Sequence, residues 1–249
     1  KAKIKYIRSL ELKKNRTAEG LFVAEGPKVV GDLMPTMRLR YVVATESWLK
    51  ANQTKIPAEV EVFDVTEEEL RKVSYLQTPQ EVLAVFELPG SNASSAAEFP
   101  KDKLSLALDG VQNPGNLGTI IRIADWFGIE DIVCSMDTVD VYNPKVVQAT
   151  MGSIARVRVE YRELESFFDS LPATVDVYGT LLEGENIYKV PHSANGIIVM
   201  GNEGKGISQP IRKRISKALR IPNYPENRET ADSLNVAVAT AIICSEFRR

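Results

Sequence analysis

Strand-like and helix-like segments alternate from residue 104 onwards, and this alternation restricts the fold more than any other feature of the sequence. Apolar runs of strand length occur at 104–109, 131–134 and 196–200. Between the first two, apolar residues recur every three or four positions over 117–127, which is the spacing of an amphipathic helix. Parallel strands require crossover connections, and these are usually helices. The pattern therefore predicts an α/β fold with a largely parallel sheet covered by helices.

A stretch of small polar residues, Gly90-Ser-Asn-Ala-Ser-Ser-Ala-Ala, interrupts the chain before this region. Such a composition is typical of linkers. We therefore expect a small α/β domain at 1–89, a linker at 90–103 and a larger domain at 104–249. The length of 249 residues agrees with this division, because one large domain or two small ones are usual at that size.

The formal net charge of −2 gives the protein no overall basic field, but basic residues are concentrated in two places. Residues 1–20 contain seven basic and two acidic side chains. The second cluster consists of Arg212, Lys213, Arg214, Lys217 and Arg220. Such clusters are either binding surfaces for phosphate groups or ordinary solvated helix faces, and charge alone leaves both interpretations open.

Several common kinds of site are disfavoured by the sequence. No G-x-G-x-x-G follows a strand, and Lys205 is followed by glycine rather than the Ser or Thr of a Walker loop. His192 has no Cys or His at ligand spacing, so we expect no metal. The longest apolar run, 236–244, is too short to cross a membrane. Cys134 and Cys244 lie in apolar surroundings, which favours free thiols in a cytoplasmic protein.

Three segments carry residues that packing alone does not require. The first is Asn113-Pro-Gly-Asn-Leu-Gly-Thr-Ile-Ile-Arg, just after the strand that ends at 109. The second is Gly201-Asn-Glu-Gly-Lys-Gly-Ile, which follows another strand, and the third runs from Ile221-Pro to Asp232-Ser-Leu-Asn. Open α/β sheets bind ligands at the carboxyl ends of their strands. We therefore expect the segments to meet there, with the glycines allowing close approach to a ligand or to another chain segment.

In this order, the three segments resemble the three motifs of the SpoU (TrmH-type) RNA ribose 2′-O-methyltransferases of the SPOUT superfamily. The resemblance covers about residues 104–249. In addition, Phe22-Val-Ala-Glu-Gly-Pro resembles the opening of a small ribosomal-protein-like substrate-binding domain. The resemblance implies a parallel sheet whose carboxyl-terminal part forms a trefoil knot, S-adenosylmethionine (SAM) as cofactor, RNA as substrate, and an active site formed across a homodimer.

The resemblance also assigns roles to individual residues. The implied catalytic set is Arg122, Asn113, Glu203, Ser233 and Asn235. The implied cofactor-binding set is Thr180, Gly201, Gly206, Ile221 and Leu234. Because a guanidinium keeps its proton in proteins, Arg122 is expected to stabilise negative charge on the attacking ribose oxygen while the proton leaves to water or a phosphate oxygen. Glu203 is expected to orient Asn113 or Arg122, and Ser233 is alternatively the N-cap of a terminal helix at 233–247.

The third motif departs from the family pattern. Between Ile221 and Ser233 the spacing is four residues longer than usual, and the usual Met and Gly are missing. The sequence therefore leaves two interpretations. One is an active methyltransferase, for which the resemblance favours 23S ribosomal RNA over tRNA as the substrate. The other is a non-catalytic RNA-binding protein that has lost SAM binding. A nucleotide-dependent oxidoreductase is disfavoured by the missing dinucleotide motif.

Overall fold

The structure, a computed structural model, describes residues 2–90, 102–226 and 228–249. Its contacts divide these residues into two units. The first contains the described residues up to 90 together with Asp140–Ala155, and the second contains residues 102–139 and Arg156–Arg249. Most of the linker expected at 90–103 lies outside the described residues.

The first unit is built on a four-stranded mixed sheet. Its strands are β1 (Leu21–Glu25), β2 (Leu39–Ala44), β3 (Glu61–Asp64) and β4 (Val82–Glu87), in the order β1-β4-β2-β3. Strand β4 is antiparallel to β1 and β2, whereas β2 and β3 are parallel. The helices of the region are α1 (Ala2–Ser9), α2 (Lys13–Glu19), α3 (Pro27–Leu33), α4 (Glu46–Asn52) and α5 (Glu67–Val73). The four strands coincide with the apolar runs of the amino-terminal sequence.

The second unit is built on a six-stranded sheet in which every neighbouring pair is parallel. Its strands are β5 (Leu104–Asp109), β6 (Asp131–Cys134), β7 (Arg158–Tyr161), β8 (Val177–Asn186), β9 (Gly196–Gly201) and β10 (Lys217–Arg220), in the order β10-β8-β9-β5-β6-β7. Strands β5 and β9 lie at the centre and are almost continuously buried. This explains their unbroken apolar sequences and confirms the predicted parallel sheet.

Five further helices follow in the chain. They are α6 (Pro114–Trp126), α7 (Pro144–Ala149), α8 (Leu164–Asp169), α9 (Gln209–Arg212) and α10 (Val236–Phe247). Helix α7 belongs to the first unit and the other four to the second. Helices α6 and α10 pack against each other, and both begin beside the carboxyl ends of the central strands.

Residues 140–155 lie with the first unit, although the sequence places them inside the expected domain at 104–249. The Arg16 guanidinium, which is buried, forms an ion pair with Asp140. The ring of Tyr142 packs on that of Phe22, with the centroids 4.7 Å apart. These contacts join positions more than 100 residues apart, so local sequence patterns do not reveal them.

The sequence also predicts a helix over 143–154, with Pro144 in its first turn, and a basic helix over 211–217. Both predictions are wrong in extent. A helix over 143–154 is not formed, because α7 ends at Ala149 and Met151 and Gly152 both have positive φ angles of 50° and 94°. A basic helix over 211–217 is not formed either. The backbone N–H of Ser216 donates to the carbonyl of Val177 at 3.0 Å, which draws the chain into strand pairing from Lys217 onwards.

Candidate functional site

A cavity of about 380 Å³ opens at the carboxyl ends of β8, β9 and β10. All five residues of the implied cofactor-binding set line it: Thr180, Gly201, Gly206, Ile221 and Leu234. Glu203 and Ser233, from the implied catalytic set, line it too. The volume lies within the roughly 300–1,000 Å³ of small-molecule sites. The position is also the one at which open α/β sheets hold ligands.

The glycines of the second motif close a tight hairpin that forms one wall of this cavity. A Cβ atom on Gly201 would lie 2.2 Å from the carbonyl carbon of Gly206 and 2.3 Å from the nitrogen of Ile207. Gly206 has a φ of 68°, and Asn202 and Gly206 exchange two backbone hydrogen bonds of 3.0 and 2.9 Å. Glycine is therefore required at 201 because another chain segment approaches it closely. The sequence alone leaves open whether a ligand or a chain segment makes this approach.

The carboxylate of Glu203 forms hydrogen bonds with the beginning of the first motif. It accepts hydrogen bonds from the backbone N–H groups of Gln112 (3.2 Å) and Asn113 (3.0 Å). It also accepts one from the side-chain amide of Asn116 (3.0 Å). Glu203 thus contacts the main chain of Asn113, whose side chain points elsewhere, and no hydrogen bond joins Glu203 to Arg122 among the described residues.

These hydrogen bonds determine the ionisation of Glu203. Partial burial, the largest single influence, acts to raise its pKa. The hydrogen bonds from Asn116 and from the backbone N–H groups of Asn113 and Gln112 act in the opposite direction and together outweigh it, so the pKa is lowered from its ordinary value. Glu203 is therefore an anion at neutral pH and a hydrogen-bond acceptor only.

Both asparagines of the implied catalytic set are helix N-caps. Asn113 Oδ1 accepts from the N–H groups of Gly115 (2.8 Å) and Asn116 (3.1 Å) at the start of α6. Asn235 Oδ1 accepts from the N–H groups of Ala237 (2.9 Å) and Val238 (3.3 Å) at the start of α10.

The alternative role of Ser233 as the cap of a helix at 233–247 is therefore wrong. Helix α10 begins at Val236, and Asn235 performs the capping. Ser233 is exposed on the cavity wall instead.

Asn116 is a member of this hydrogen-bond network that sequence reasoning missed. Its Nδ2 donates to Glu203, and its Oδ1 accepts from Nδ2 of Asn235 at 3.0 Å. It thereby joins the second motif to the third and fixes the orientation of three polar side chains. The available signal was its position three residues after Asn113 inside the first motif, where an asparagine in the first turn of a helix can face the same side as the cap.

Arg122 does not line the cavity. It lies on α6 and is exposed, and no hydrogen bond or ion pair joins it to another residue in the described part of the chain. One turn further along α6, Trp126 has 84% of its surface exposed, and Val238 on α10 has 50% exposed. A single copy of the chain therefore assembles the cavity and the Glu203–Asn116–Asn235 network but leaves the guanidinium outside.

The second basic cluster is largely neutralised within the fold, and the first only in part. In the second cluster, four residues form ion pairs: Arg212 with Glu183 (2.8 Å), Arg214 with Asp169 (2.7 Å), Lys217 with Asp176 (2.8 Å) and Arg220 with Glu226 (3.8 Å). In the first cluster, Arg16 is buried against Asp140, and Lys3 pairs with Glu61 at 3.1 Å. Lys5, Lys13 and Lys14 are exposed. Most of the positive charge of the second cluster is therefore held in ion pairs, whereas part of the first cluster faces solvent.

The described residues form neither a metal site nor a membrane span. Within residues 2–90, 102–226 and 228–249, no three His, Cys, Asp or Glu side chains are grouped in a way that could hold a metal ion. No helix in the same ranges has the length and apolar character needed to cross a membrane. Both cysteines are free and buried, and burial raises the pKa of the Cys244 thiol to about 12.

A parallel sheet that ends in a glycine-walled cavity agrees with the fold that the resemblance to the SpoU RNA methyltransferases implies. The SpoU rRNA Methylase family matches residues 103–245, and the MRM3-like substrate binding domain matches residues 1–84. The chain belongs to the SpoU rRNA methylase family. Its first unit accordingly corresponds in the main to a substrate-binding domain.

Similarity to individual proteins extends over the whole chain. The 23S rRNA (guanosine(2553)-2′-O)-methyltransferase RlmP of Bacillus subtilis is 32% identical over 99% of this chain and 96% of its own length. A TrmH-family protein from Porphyromonas gingivalis superposes with a TM-score of 0.85 at 40% identity, covering 98% of this chain and 96% of that one. The AdoMet-bound rRNA methyltransferase of Sinorhizobium meliloti gives 0.86 at 32% identity, covering 98% and 93%.

Proposed function

We propose that this protein transfers a methyl group from SAM to a ribose 2′-hydroxyl of 23S ribosomal RNA. The observation that carries the proposal is the cavity, which brings all five residues of the implied cofactor-binding set to one wall beside the Glu203–Asn116–Asn235 network. The ribosomal target follows the full-length similarity to RlmP, which is named for 23S rRNA. We place the protein in the cytoplasm for the same reason, because that is where bacterial ribosomes assemble.

The residues of the cavity fit SAM chemically. Apolar side chains, among them Leu181, Met200 and Leu234, suit a flat purine, and the Asn202–Gly206 hairpin presents main-chain groups. Asp232 and Glu203 also line the cavity, and their carboxylates suit a cation. When bound, SAM supplies an electrophilic methyl group on a sulfonium centre. Main-chain recognition of this kind explains why the sequence shows no dinucleotide-binding motif.

Arg122 is the group that we assign to the ribose. Negative charge would develop on the 2′ oxygen as its proton leaves to water or a phosphate oxygen. That oxygen would then form its bond to the methyl carbon while the carbon–sulfur bond breaks and its electron pair stays on sulfur. A guanidinium that keeps its own proton stabilises this charge by hydrogen bonding and holds the sugar in line. Because Arg122 is unpaired and exposed within the described chain, it is available for such a contact.

A second copy of the chain supplies Arg122 to the cavity in this proposal. The support is the exposed apolar surface next to it: Trp126 follows it by one turn of α6, and Val238 lies on α10, which packs against α6. Large apolar side chains that are exposed in the single chain are typical of protein interfaces. A two-fold dimer that buries them places each Arg122 near the partner copy, as the resemblance implies.

Mixing two inactive variants tests the shared site. Arg122→Ala keeps the cavity and lacks the guanidinium, whereas Leu234→Asp keeps the guanidinium and places a charge at an exposed cavity position. If the sites are composite, random exchange of subunits restores about a quarter of wild-type methyl transfer, because half of the dimers then contain one intact site of two. If each chain uses its own Arg122, the mixture stays inactive, and the composite site is wrong.

The competing function is a non-catalytic RNA-binding protein that lost SAM through its longer third motif. The structure offers an argument against it, because Ile221 and Asp232, at the two ends of the longer segment, both still line the cavity. Mapping ribose methylation on 23S rRNA and tRNA from cells with and without the protein decides the target. Loss of one 23S rRNA methylation supports the proposal. A lost tRNA site corrects the substrate, and no lost site favours the non-catalytic protein.

A further inference from the structure

The turn that follows β5 begins at Gly110, and side chains form hydrogen bonds with both its N–H and its carbonyl group. Gly110 has a φ of 74°, and a Cβ atom there would lie 3.2 Å from Oδ2 of Asp137. Strand β5 lies between β9 and β6 in the sheet. Asn202 follows β9 directly, and Ser135 follows β6 directly. Because parallel strands end at the same edge, the first residue after each neighbouring strand can reach this glycine.

Asn202 holds the carbonyl group of the glycine. Its Nδ2 donates to the carbonyl oxygen of Gly110 at 2.7 Å. Its Oδ1 accepts from the backbone N–H groups of Gly204 at 2.9 Å and Lys205 at 3.0 Å. One amide side chain therefore has two separable tasks. The oxygen stabilises the hairpin that forms one wall of the cavity, and the nitrogen binds the carbonyl group of the turn after β5.

Ser135 holds the N–H group of the same glycine. Its Oγ accepts from the nitrogen of Gly110 at 2.8 Å and donates to Oδ1 of Asp137 at 2.6 Å. Ser135 is 93% buried. The N–H and the carbonyl group of Gly110 are thus both hydrogen-bonded, by Ser135 and Asn202 respectively. We call these three residues the Gly110 clamp.

We propose that Asn202 and Ser135 are positioning residues for methyl transfer and act through the Gly110 clamp. The clamp fixes the chain at Gly110, two and three positions before the N–H groups of Gln112 and Asn113 that bind Glu203. It thereby fixes the start of α6, which carries Asn116 and Arg122. A displacement of about 1 Å at a reacting group can cost about a hundredfold in rate. The inference rests on the proposed function, since it concerns the same reaction.

The variant Asn202→Asp separates the two tasks of this side chain. It keeps an oxygen for Gly204 and Lys205 but has no N–H for the carbonyl of Gly110, and its second oxygen faces that carbonyl. We expect SAM affinity to stay within about threefold of wild type while the single-turnover rate of methyl transfer falls about 10- to 100-fold at unchanged RNA affinity. Ser135→Ala removes the acceptor for the Gly110 N–H and is expected to act in the same direction.

A matched control comes from the first unit. Asn52 also donates its Nδ2 to a backbone carbonyl, that of Trp48, at 3.0 Å. Asn52→Asp makes the same chemical change far along the chain from the site, and we expect it to leave SAM affinity and methyl transfer unchanged. A rate loss in Asn52→Asp equal to that in Asn202→Asp would show a general effect of the substitution and overturn the proposal.

Hydrogen exchange supplies a readout that does not depend on activity. Amides of residues 110–116 are expected to exchange faster in Asn202→Asp and Ser135→Ala than in wild type, with the other segments unchanged. The proposal is overturned if both variants transfer methyl groups within about twofold of wild type, or if the rate falls only as far as SAM affinity does. If wild type itself transfers no methyl group to RNA, the proposed function fails, while exchange at 110–116 still decides whether the clamp holds the turn.

Discussion

At the scale of single residues, Glu203 acts as an acceptor for three donors that come from one short turn. A carboxylate suits this position because both of its oxygens accept and neither donates. These hydrogen bonds lower the pKa of Glu203 below its ordinary value. The residue therefore organises the first motif rather than exchanging protons with the substrate.

Replacing the carboxylate by an amide tests that role. In Glu203→Gln one oxygen becomes an NH₂ group that faces N–H donors, so at least one backbone N–H loses its acceptor. We expect the free energy of unfolding to fall by about 1–2 kcal/mol and methyl transfer to fall further, measured by urea titration and by single-turnover assay.

Glu130→Gln is the matched control for this substitution. It removes an exposed ion pair with Lys103 at 2.8 Å. Exposed pairs contribute about 0–1 kcal/mol, so the unfolding energy of this variant is expected to change little. Equal destabilisation of the two variants would contradict the role of Glu203.

The same residue gives a pH prediction. Because the pKa of Glu203 in the folded protein lies below its ordinary value of 4.5, its contribution to stability is complete above that value and is lost as the pH falls through the lower folded pKa. The difference in unfolding free energy between wild type and Glu203→Gln should stay constant from about pH 7 to pH 5 and shrink below about pH 4.5. A difference that already shrinks between pH 7 and pH 5 would contradict this sign.

At the scale of elements, two helices begin side by side, and an asparagine caps each of them. Asn113 caps α6 and Asn235 caps α10, and Asn116 bridges from α6 to the second cap. The caps satisfy N–H groups that would otherwise lack partners, and the bridge sets the relative position of the two helix starts. The side chain of Asn235 therefore both caps α10 and joins it to α6.

A pair of substitutions at Asn235 separates those two contributions. Asn235→Ser keeps a capping oxygen but lacks the amide NH₂ group that reaches Asn116, so we expect the unfolding free energy to change by less than about 0.5 kcal/mol while methyl transfer falls about tenfold. Asn235→Ala also loses the cap and should cost about 1 kcal/mol more. Thermal unfolding and single-turnover assays measure the two effects.

Asn143→Ser is the matched control for the cap. Asn143 caps α7 through the N–H of Lys145 at 2.9 Å and has no contact with the network at the site. It should therefore tolerate serine in both assays. Full methyl transfer by Asn235→Ser would show that the bridge to Asn116 has no function.

Sequence patterns predict an element correctly when the residues within that element determine its structure. The central strands β5 and β9 are apolar throughout, and α6 shows a clear apolar stripe, so all three were predicted near their actual bounds. The basic stretch 211–217 was predicted wrongly, because pairing of Ser216 with Val177 overrides its helical composition. Of the candidate site, the motif residues were found and Asn116 was missed, since only the fold shows which of two nearby asparagines faces Glu203.

At the scale of the whole molecule, the chain passes from the second unit into the first at 140 and returns at 156. The buried Arg16–Asp140 pair joins positions 124 residues apart. A buried charge needs a partner, but the sequence does not say which of many acids supplies it. The same limit applies to the trefoil knot, which concerns the path of the whole chain and stays a prediction from the resemblance.

Calorimetric titration with SAM tests the central claim most directly. We expect wild type to bind SAM with a dissociation constant of about micromolar order and Arg122→Ala to bind it equally well, because Arg122 lies outside the cavity. Leu234→Asp, which changes an exposed residue of the cavity wall, should bind at least about tenfold more weakly. Absence of SAM binding by wild type, or equal binding by Leu234→Asp, would contradict the assignment of this cavity to the methyl donor.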